Sequence, residues 1–130
     1  MIKEDYIKYW IDTSKEDWEV SLLLFKQKKY LYSLFFAHLT IEKICKALWV
    51  KNSKDNYPPK IHNLNKLLSQ AGITLAEEDE TFAADINKFN IEGRYPDYVS
   101  NIDLICTKDY TYNYLEKIKE LRLCLLKRIL

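Results

Sequence analysis

The stretch that decides the fold is residues 32–51, YSLFFAHLTIEKICKALWVK. Its apolar side chains recur at helical spacing in one main stripe, with a second stripe beside it. The main stripe is Leu34, Ala37, Ile41, Ile44 and Leu48, and the second is Phe35, Leu39 and Trp49. A helix that is apolar over more than half of its circumference has to contact several neighbours. We therefore predict that residues 32–51 form the central helix of an all-helical domain.

Residues that break helices are scarce on both sides of this stretch. The prolines and glycines of the chain are Pro58, Pro59, Pro96, Gly72 and Gly93. Long helices are therefore predicted over residues 5–28, where Lys28 and Lys29 suit the negative end of the helix dipole, and over residues 110–129. The last segment has the cleanest apolar stripe, formed by Thr111, Leu115, Ile118, Leu121, Leu125 and Ile129.

Two shorter helices are expected between these long ones. The first covers residues 63–71, with Asn63 as N-cap and Gly72 just beyond its end. The second covers residues 74–94.

Local signals set the limits of the second short helix. Thr74 and Glu77 have the spacing of a capping box. The helix should end near Arg94, because Pro96 disfavours helical geometry at the residue before it. Residues 97–109 lack a clear period and are predicted to be a loop with a possible extra turn.

These elements make one domain over residues 1–130, an all-α, up-and-down bundle of about five helices. The chain has 130 residues, of which 48% are hydrophobic, so it can bury one core without disulfides or metal. No repeat, low-complexity tract or linker divides it.

Charge and cysteine content narrow the classes of function. Twenty basic and 19 acidic residues leave a net charge of +1, so binding to nucleic acid or to an anionic membrane has to be local. The uncharged stretch 30–41 is too short to cross a bilayer. The N-terminus is charged, and the three cysteines, Cys45, Cys106 and Cys124, are odd in number and widely spaced. We therefore expect reduced thiols, a cytoplasmic protein and no membrane partner.

One place with functional chemistry lies on the central helix. Glu42 and Lys46 are four residues apart and can pair on one face, with Lys43 beside them. The simpler interpretation is a surface ion pair worth a few tenths of a kcal/mol. The functional one is a polar cleft or an interface, because the same face carries Phe35 and Leu39.

The two histidines support different expectations. His62 lies just before a helix start, where it either bonds a neighbouring helix carbonyl or carries protons. His38 lies on the main apolar stripe, and we interpret it as a core or interface histidine. No pair of histidines and cysteines has the spacing of metal ligands, and no phosphate loop, dinucleotide motif or nucleophile elbow is present, so no metal or cofactor is predicted.

A third place is residues 92–97, EGRYPD. Arg94 is expected to end a helix, where a cation is favourable. In the functional interpretation, the rigid Tyr95–Pro96 exit aims this arginine at a phosphate, with Asp97 beside it.

Taken in order, three segments resemble the HEPN (higher eukaryotes and prokaryotes nucleotide-binding) family. They are FAHLTIEKICKAL at residues 36–48, PPKIHNL at 58–64 and GRYPD at 93–97. The resemblance covers nearly the whole chain. It implies two long antiparallel helices in a bundle of about five, and a homodimer through helix faces. It also implies frequent pairing with a small nucleotidyltransferase, fused or encoded next door, often in toxin–antitoxin settings.

Some HEPN proteins are metal-independent RNases, whose signature is an arginine and a later histidine separated by four to six residues. This sequence departs from that signature, because Val99, Ser100 and Asn101 occupy the positions where the histidine would follow Arg94. The resemblance therefore leans away from an enzyme, and we assign no firm catalytic residue.

Three hypotheses follow. In the first, a non-catalytic domain uses a polar cleft to bind a nucleotide or an RNA phosphate, or to dock a nucleotidyltransferase. The cleft residues are Glu42, Lys43, Lys46, His62, Arg94, Tyr95 and Asp97. In the second, the protein is an RNase toxin in which Arg94 stabilises phosphate charge and His62 is the general acid or base. In the third, the cluster only sets helix packing in a structural dimerisation module.

Overall fold

The computed structural model describes residues 1–129, which contain six α-helices, one short 3₁₀ turn and no strand. The elements are α1 (Lys3–Lys26), α2 (Tyr30–Asn52), α3 (Leu64–Gln70), α4 (Glu77–Ile86), the 3₁₀ turn (Asn87–Phe89), α5 (Pro96–Ile105) and α6 (Lys108–Leu126). The prediction of an all-α helical bundle is confirmed, with one helix more than expected.

Helix α2 lies at the centre, as its two apolar stripes predicted. Helices α1, α3, α5 and α6 all pack against it, and Leu34, Ile41 and Ile44 on its main stripe are fully buried. Burying such a side chain stabilises the fold by about 1.5–3 kcal/mol. The helix is central because it alone is apolar on several faces.

Two lysines show how the long helices run. Lys3 Nζ, at the start of α1, donates to the carbonyl of Val50 at the end of α2 over 2.9 Å, so these two helices are antiparallel. Lys51 Nζ, near the end of α2, donates to the carbonyl of Arg128 over 2.7 Å, just beyond α6. The C-terminal ends of α2 and α6 therefore meet, and α1 and α6 lie on α2 with a groove between them.

The turn from α1 to α2 uses a lysine where glycine is usual. Lys28 has φ 62°, in the left-handed region. Its N–H donates to the carbonyl of Phe25 over 3.0 Å, and that of Lys29 to Leu24 over 2.9 Å. These are the two bonds of a Schellman ending. Helix α1 thus ends two residues earlier than predicted.

The start of α3 agrees with its predicted signals. The Asn63 side chain accepts from the Lys66 N–H over 3.0 Å, and Gly72 beyond the helix has φ +73°.

The predicted capping box of the next helix is wrong. Helix α4 begins at Glu77 with Ala76 as N-cap and no capping side chain. Ile73 and Leu75 are buried, whereas Thr74 between them is exposed. This alternation holds the segment extended, so Thr74 lies too early to cap α4.

The predicted end of that helix near Arg94 is also wrong. Helix α4 stops at Ile86 and tightens into the 3₁₀ turn, where Phe89 is fully buried. The Asn87 side chain accepts a bond from the Leu64 N–H over 3.0 Å. Because the Asn87 side chain forms this hydrogen bond outside its own helix, it favours the change from α-helix to 3₁₀ turn at this point.

The predicted loop over residues 97–109 contains a helix. Pro96 occupies the first turn of α5, a position where its fixed φ is favourable and its missing N–H costs nothing. Arg94 therefore precedes a helix and does not end one, which corrects the dipole argument made for it. Thr107 caps α6, which begins at Lys108, two residues before the predicted start.

Candidate functional site

The candidate site centres on the carboxylate of Glu42, which is 4% exposed in the middle of α2. Its Oε2 lies 3.1 Å from Lys46 Nζ, and its Oε1 lies 2.9 Å from His62 Nδ1. Because Lys46 is only 8% exposed, this is not a surface ion pair. A buried charge persists only when it is paired and hydrogen-bonded. We call Glu42, Lys46, His62 and the adjacent His38 the carboxylate cluster.

His62 is the exposed edge of the carboxylate cluster. Its side chain is 42% exposed, and its Nε2 lies 3.8 Å from Glu92 Oε2. A carboxylate on one ring nitrogen fixes the orientation of an imidazole and leaves the other nitrogen for a ligand or a proton. The loop before α3 thus presents an oriented histidine at the surface.

His38 is the buried edge of the carboxylate cluster. It is fully buried, with Nε2 3.3 Å from Asn87 Oδ1 and Nδ1 4.0 Å from Glu42 Oε1. Desolvation by burial lowers the pKa of His38, although the Glu42 charge opposes the shift. The structure places it in the core, one helical turn before Glu42.

Asn87 supports the carboxylate cluster, although it is not among the predicted site residues. Its Oδ1 faces both His38 and the Leu64 N–H, and its Nδ2 donates to Asn65 Oδ1 over 3.2 Å. This one side chain ties the 3₁₀ turn to α2 and to the start of α3, next to His62. An asparagine within an expected helix was the available signal, because its side chain competes with helical bonding.

The arginine turn, residues 92–97, is exposed and partly self-contained. Arg94 Nε donates to the carbonyl of Asn90 over 3.3 Å, and the guanidinium carbon lies 4.2 Å from the ring centroid of Tyr98. Tyr95 is 84% exposed. The Tyr98 hydroxyl donates to the carbonyl of Lys88 over 2.6 Å, which anchors the ring beneath the arginine.

The structure brings together only some of the predicted site residues. Glu42, Lys46 and His62 are in contact. Within residues 1–129, no hydrogen bond or ion pair joins Arg94, Tyr95 or Asp97 to His62, whereas Glu92 of the arginine turn approaches it to 3.8 Å.

Lys43 also faces away from the carboxylate cluster. Its Nζ pairs with Asp17 Oδ2 of α1 over 2.7 Å. It therefore serves the contact between α1 and α2.

Two kinds of site are not found in the part of the chain that the structure describes. No group of three or more His, Cys, Asp or Glu side chains there is arranged to hold a metal ion. No helix between residues 1 and 129 has both the length and the apolar character to cross a membrane.

The thiols of Cys45 and Cys106 are buried, and desolvation raises the pKa of Cys106 to about 11.

Comparison with protein-family models matches residues 7–129 to the family described as HEPN domain. The match covers nearly the whole chain. Searches among curated proteins and among solved structures each returned no significant match.

Proposed function

Because the chain belongs to the HEPN domain family, a nucleotide- or RNA-related function in general is supported, and we propose a non-catalytic domain that binds an RNA phosphate between His62 and the arginine turn. The observation that carries the proposal is the oriented, half-exposed His62 facing Glu92, two residues from Arg94. The family's RNase histidine is absent after Arg94, which favours binding over cleavage.

Arg94 has the chemistry for the phosphate contact. Among the hydrogen bonds of residues 1–129 it uses only Nε, so both terminal nitrogens remain for a ligand. A guanidinium binds phosphate through two parallel hydrogen bonds, and the Tyr98 ring holds it in position. Tyr95 and Asp97 flank it as further proposed contacts, and Lys43 supports the helix that carries Glu42.

The test is fluorescence anisotropy with a short labelled single-stranded RNA. Arg94→Ala should weaken binding roughly ten- to 150-fold, because a charge-assisted hydrogen bond is worth about 1.5–3 kcal/mol. Arg128→Ala, which removes an equally exposed cation elsewhere, is the matched control. Equal weakening in both variants, or no binding by the wild type, would refute the proposal.

A second candidate function is metal-independent RNA cleavage. The observation that favours it is the carboxylate–imidazole pair of Glu42 and His62, since such pairing orients a general base. His62 would move the proton and Arg94 would stabilise phosphate charge. Cleavage lost in both His62→Ala and Arg94→Ala would support this function, and equal activity in both variants would indicate a contaminating nuclease.

We also propose a small nucleotidyltransferase as partner, within a cytoplasmic toxin–antitoxin or defence-type system. The support is the family resemblance, and docking would use the same exposed residues of the arginine turn. The neighbouring open reading frame is the first check. Co-purification of its product with the wild-type chain, but not with Arg94→Ala, would place the contact.

The homodimer is likewise a proposal, and we assign it to the groove between α1 and α6. Its apolar side chains are Ile7, Ile11, Leu123, Leu126 and Ile129, and its charged ones are Lys3, Glu4, Lys8, Lys51 and Lys127. Leu123→Asp should give a monomer in analytical ultracentrifugation, whereas Leu104→Asp on α5, where the leucine is 78% exposed, should not. A dimer with no RNA or nucleotide binding would leave the purely structural module as the function.

A further inference from the structure

A hollow lined by aromatic rings opens between the start of α1 and the loop after α2. Its volume is about 270 Å³. We call it the aromatic bowl, and its lining is Tyr6, Tyr9, Trp10, Tyr57 and Pro58, with Met1 and Asn56 at the rim. Tyr9 is 54% and Tyr57 69% exposed, so their rings are accessible from solvent. Large exposed rings around one hollow indicate a binding surface.

Hydrogen bonds and a ring contact join the two sides of the aromatic bowl, which are α1 and the loop after α2. Lys3 Nζ donates to the carbonyls of Val50 and Ser53 and to Asn56 Oδ1, each over 2.9 Å. The Tyr6 and Tyr57 hydroxyls are 3.2 Å apart, and their rings meet edge to face at 5.5 Å between centroids. A pre-formed site loses little conformational entropy when a ligand binds.

Trp10 of the aromatic bowl adjoins the carboxylate cluster. Lys46 Nζ lies 5.4 Å from the Trp10 ring centroid and 3.1 Å from Glu42 Oε2. Glu42 in turn contacts His62. Pro58 of the bowl and His62 lie four residues apart in one loop, which spans at most about 14 Å, so a strand whose neighbouring bases are about 3.4 Å apart can reach from one to the other.

We propose that the aromatic bowl stacks an unpaired base of a single-stranded RNA whose phosphate lies near His62. This inference rests on the proposed RNA-binding function and adds the base contact to it. The volume is below the roughly 300–1,000 Å³ of pockets that enclose a whole small ligand, so the bowl suits one ring system of a longer molecule. Aromatic side chains stack every base, since each base has a π-face, so recognition is tolerant of sequence.

The test uses a short single-stranded RNA that carries 2-aminopurine, whose fluorescence is quenched on stacking. Wild-type protein should quench it, and Tyr57→Ala or Tyr9→Ala should abolish the quenching and weaken binding about five- to a hundredfold. Tyr57→Phe keeps the ring and should retain both signals. Tyr112→Ala removes a tyrosine that is 52% exposed on α6 and should change neither.

The outcomes separate this inference from the proposed function. Binding that is lost in Arg94→Ala but unchanged in Tyr57→Ala would overturn the base site and leave phosphate binding intact. Loss of RNA binding in the aromatic variants alone would support the base site and show that Arg94 does not bind the phosphate. Adenosine monophosphate competing as strongly as the RNA would overturn the single-stranded occupant, and a wild type that binds no RNA would overturn both proposals.

Discussion

The carboxylate cluster and the arginine turn meet where Glu92 lies near His62. The side chains of the two regions are held in place in opposite ways. In the carboxylate cluster, Glu42 takes its partners from its own helix and from the loop before α3, and it is buried. In the arginine turn, Arg94 is exposed, and its contacts within residues 1–129 are to Asn90 and Tyr98, which flank the turn. The fold therefore positions one half of the site through contacts between elements, whereas local contacts at the surface position the other half.

The sharpest test of this comparison is removal of the buried carboxylate. Glu42→Ala leaves the Lys46 ammonium, only 8% exposed, without its partner, and breaking such a buried pair costs about 3 kcal/mol of unfolding free energy. Glu92→Ala is the matched control and should stay within about 0.5 kcal/mol. Urea denaturation measures both, and equal losses would erase the contrast between the two regions.

Asn87 should show the next largest effect. Asn87→Ala removes the acceptor of the Leu64 N–H and the partner of the buried His38, so we expect a loss of about 2 kcal/mol. The exposed Asn113→Ala is the control. Hydrogen exchange at the Leu64 amide should also accelerate. An unchanged exchange rate would show that the 3₁₀ turn does not hold the His62 loop.

The pH dependence of stability should show the burial of His38. Burial holds the pKa of folded His38 below 6.5, so as pH falls through about 6.5 the unfolded chain takes up a proton that the folded chain excludes. Stability attributable to His38 is thus complete above that pH and is lost below it. His38→Gln should flatten the decline in unfolding free energy between about pH 7 and 5. Parallel wild-type and variant curves would contradict this.

The smallest effect is expected in the arginine turn. Arg94→Ala removes one exposed cation–π contact, worth about 0.5 kcal/mol. Thermal unfolding should therefore barely change while RNA binding falls. A stability loss comparable with that of Glu42→Ala would show that the arginine turn is part of the fold's framework.

Helix α2 was predictable from sequence because its pattern is redundant. Eight apolar side chains in two stripes agree on one answer. The five of the main stripe are buried in the structure, and the three of the second stripe are half-buried. The caps of α3 were predictable for a different reason. Asn63 and Gly72 act through local backbone geometry, which neighbouring residues alone determine.

Helix α5 was missed because its first signal has two meanings. Pro96 ends one helix and begins another equally well, and only Ile102 of α5 is buried. The sequence is compatible with a pairing of Glu42 and His62 but does not predict it, since the pairing depends on a loop folding back over α2. Asn87 was hidden for the same reason, because its partners lie more than 20 residues away.

The left-handed conformation of Lys28 means that the helical hairpin of α1 and α2 is less stable than it could be. A side chain in that conformation costs about 1 kcal/mol relative to glycine, part of which the greater freedom of an unfolded glycine would cancel. Lys28→Gly should therefore make the domain slightly more heat-resistant without touching the carboxylate cluster or the aromatic bowl. That variant would provide a sturdier background in which the destabilising substitutions at Glu42 and Asn87 remain folded enough to be assayed.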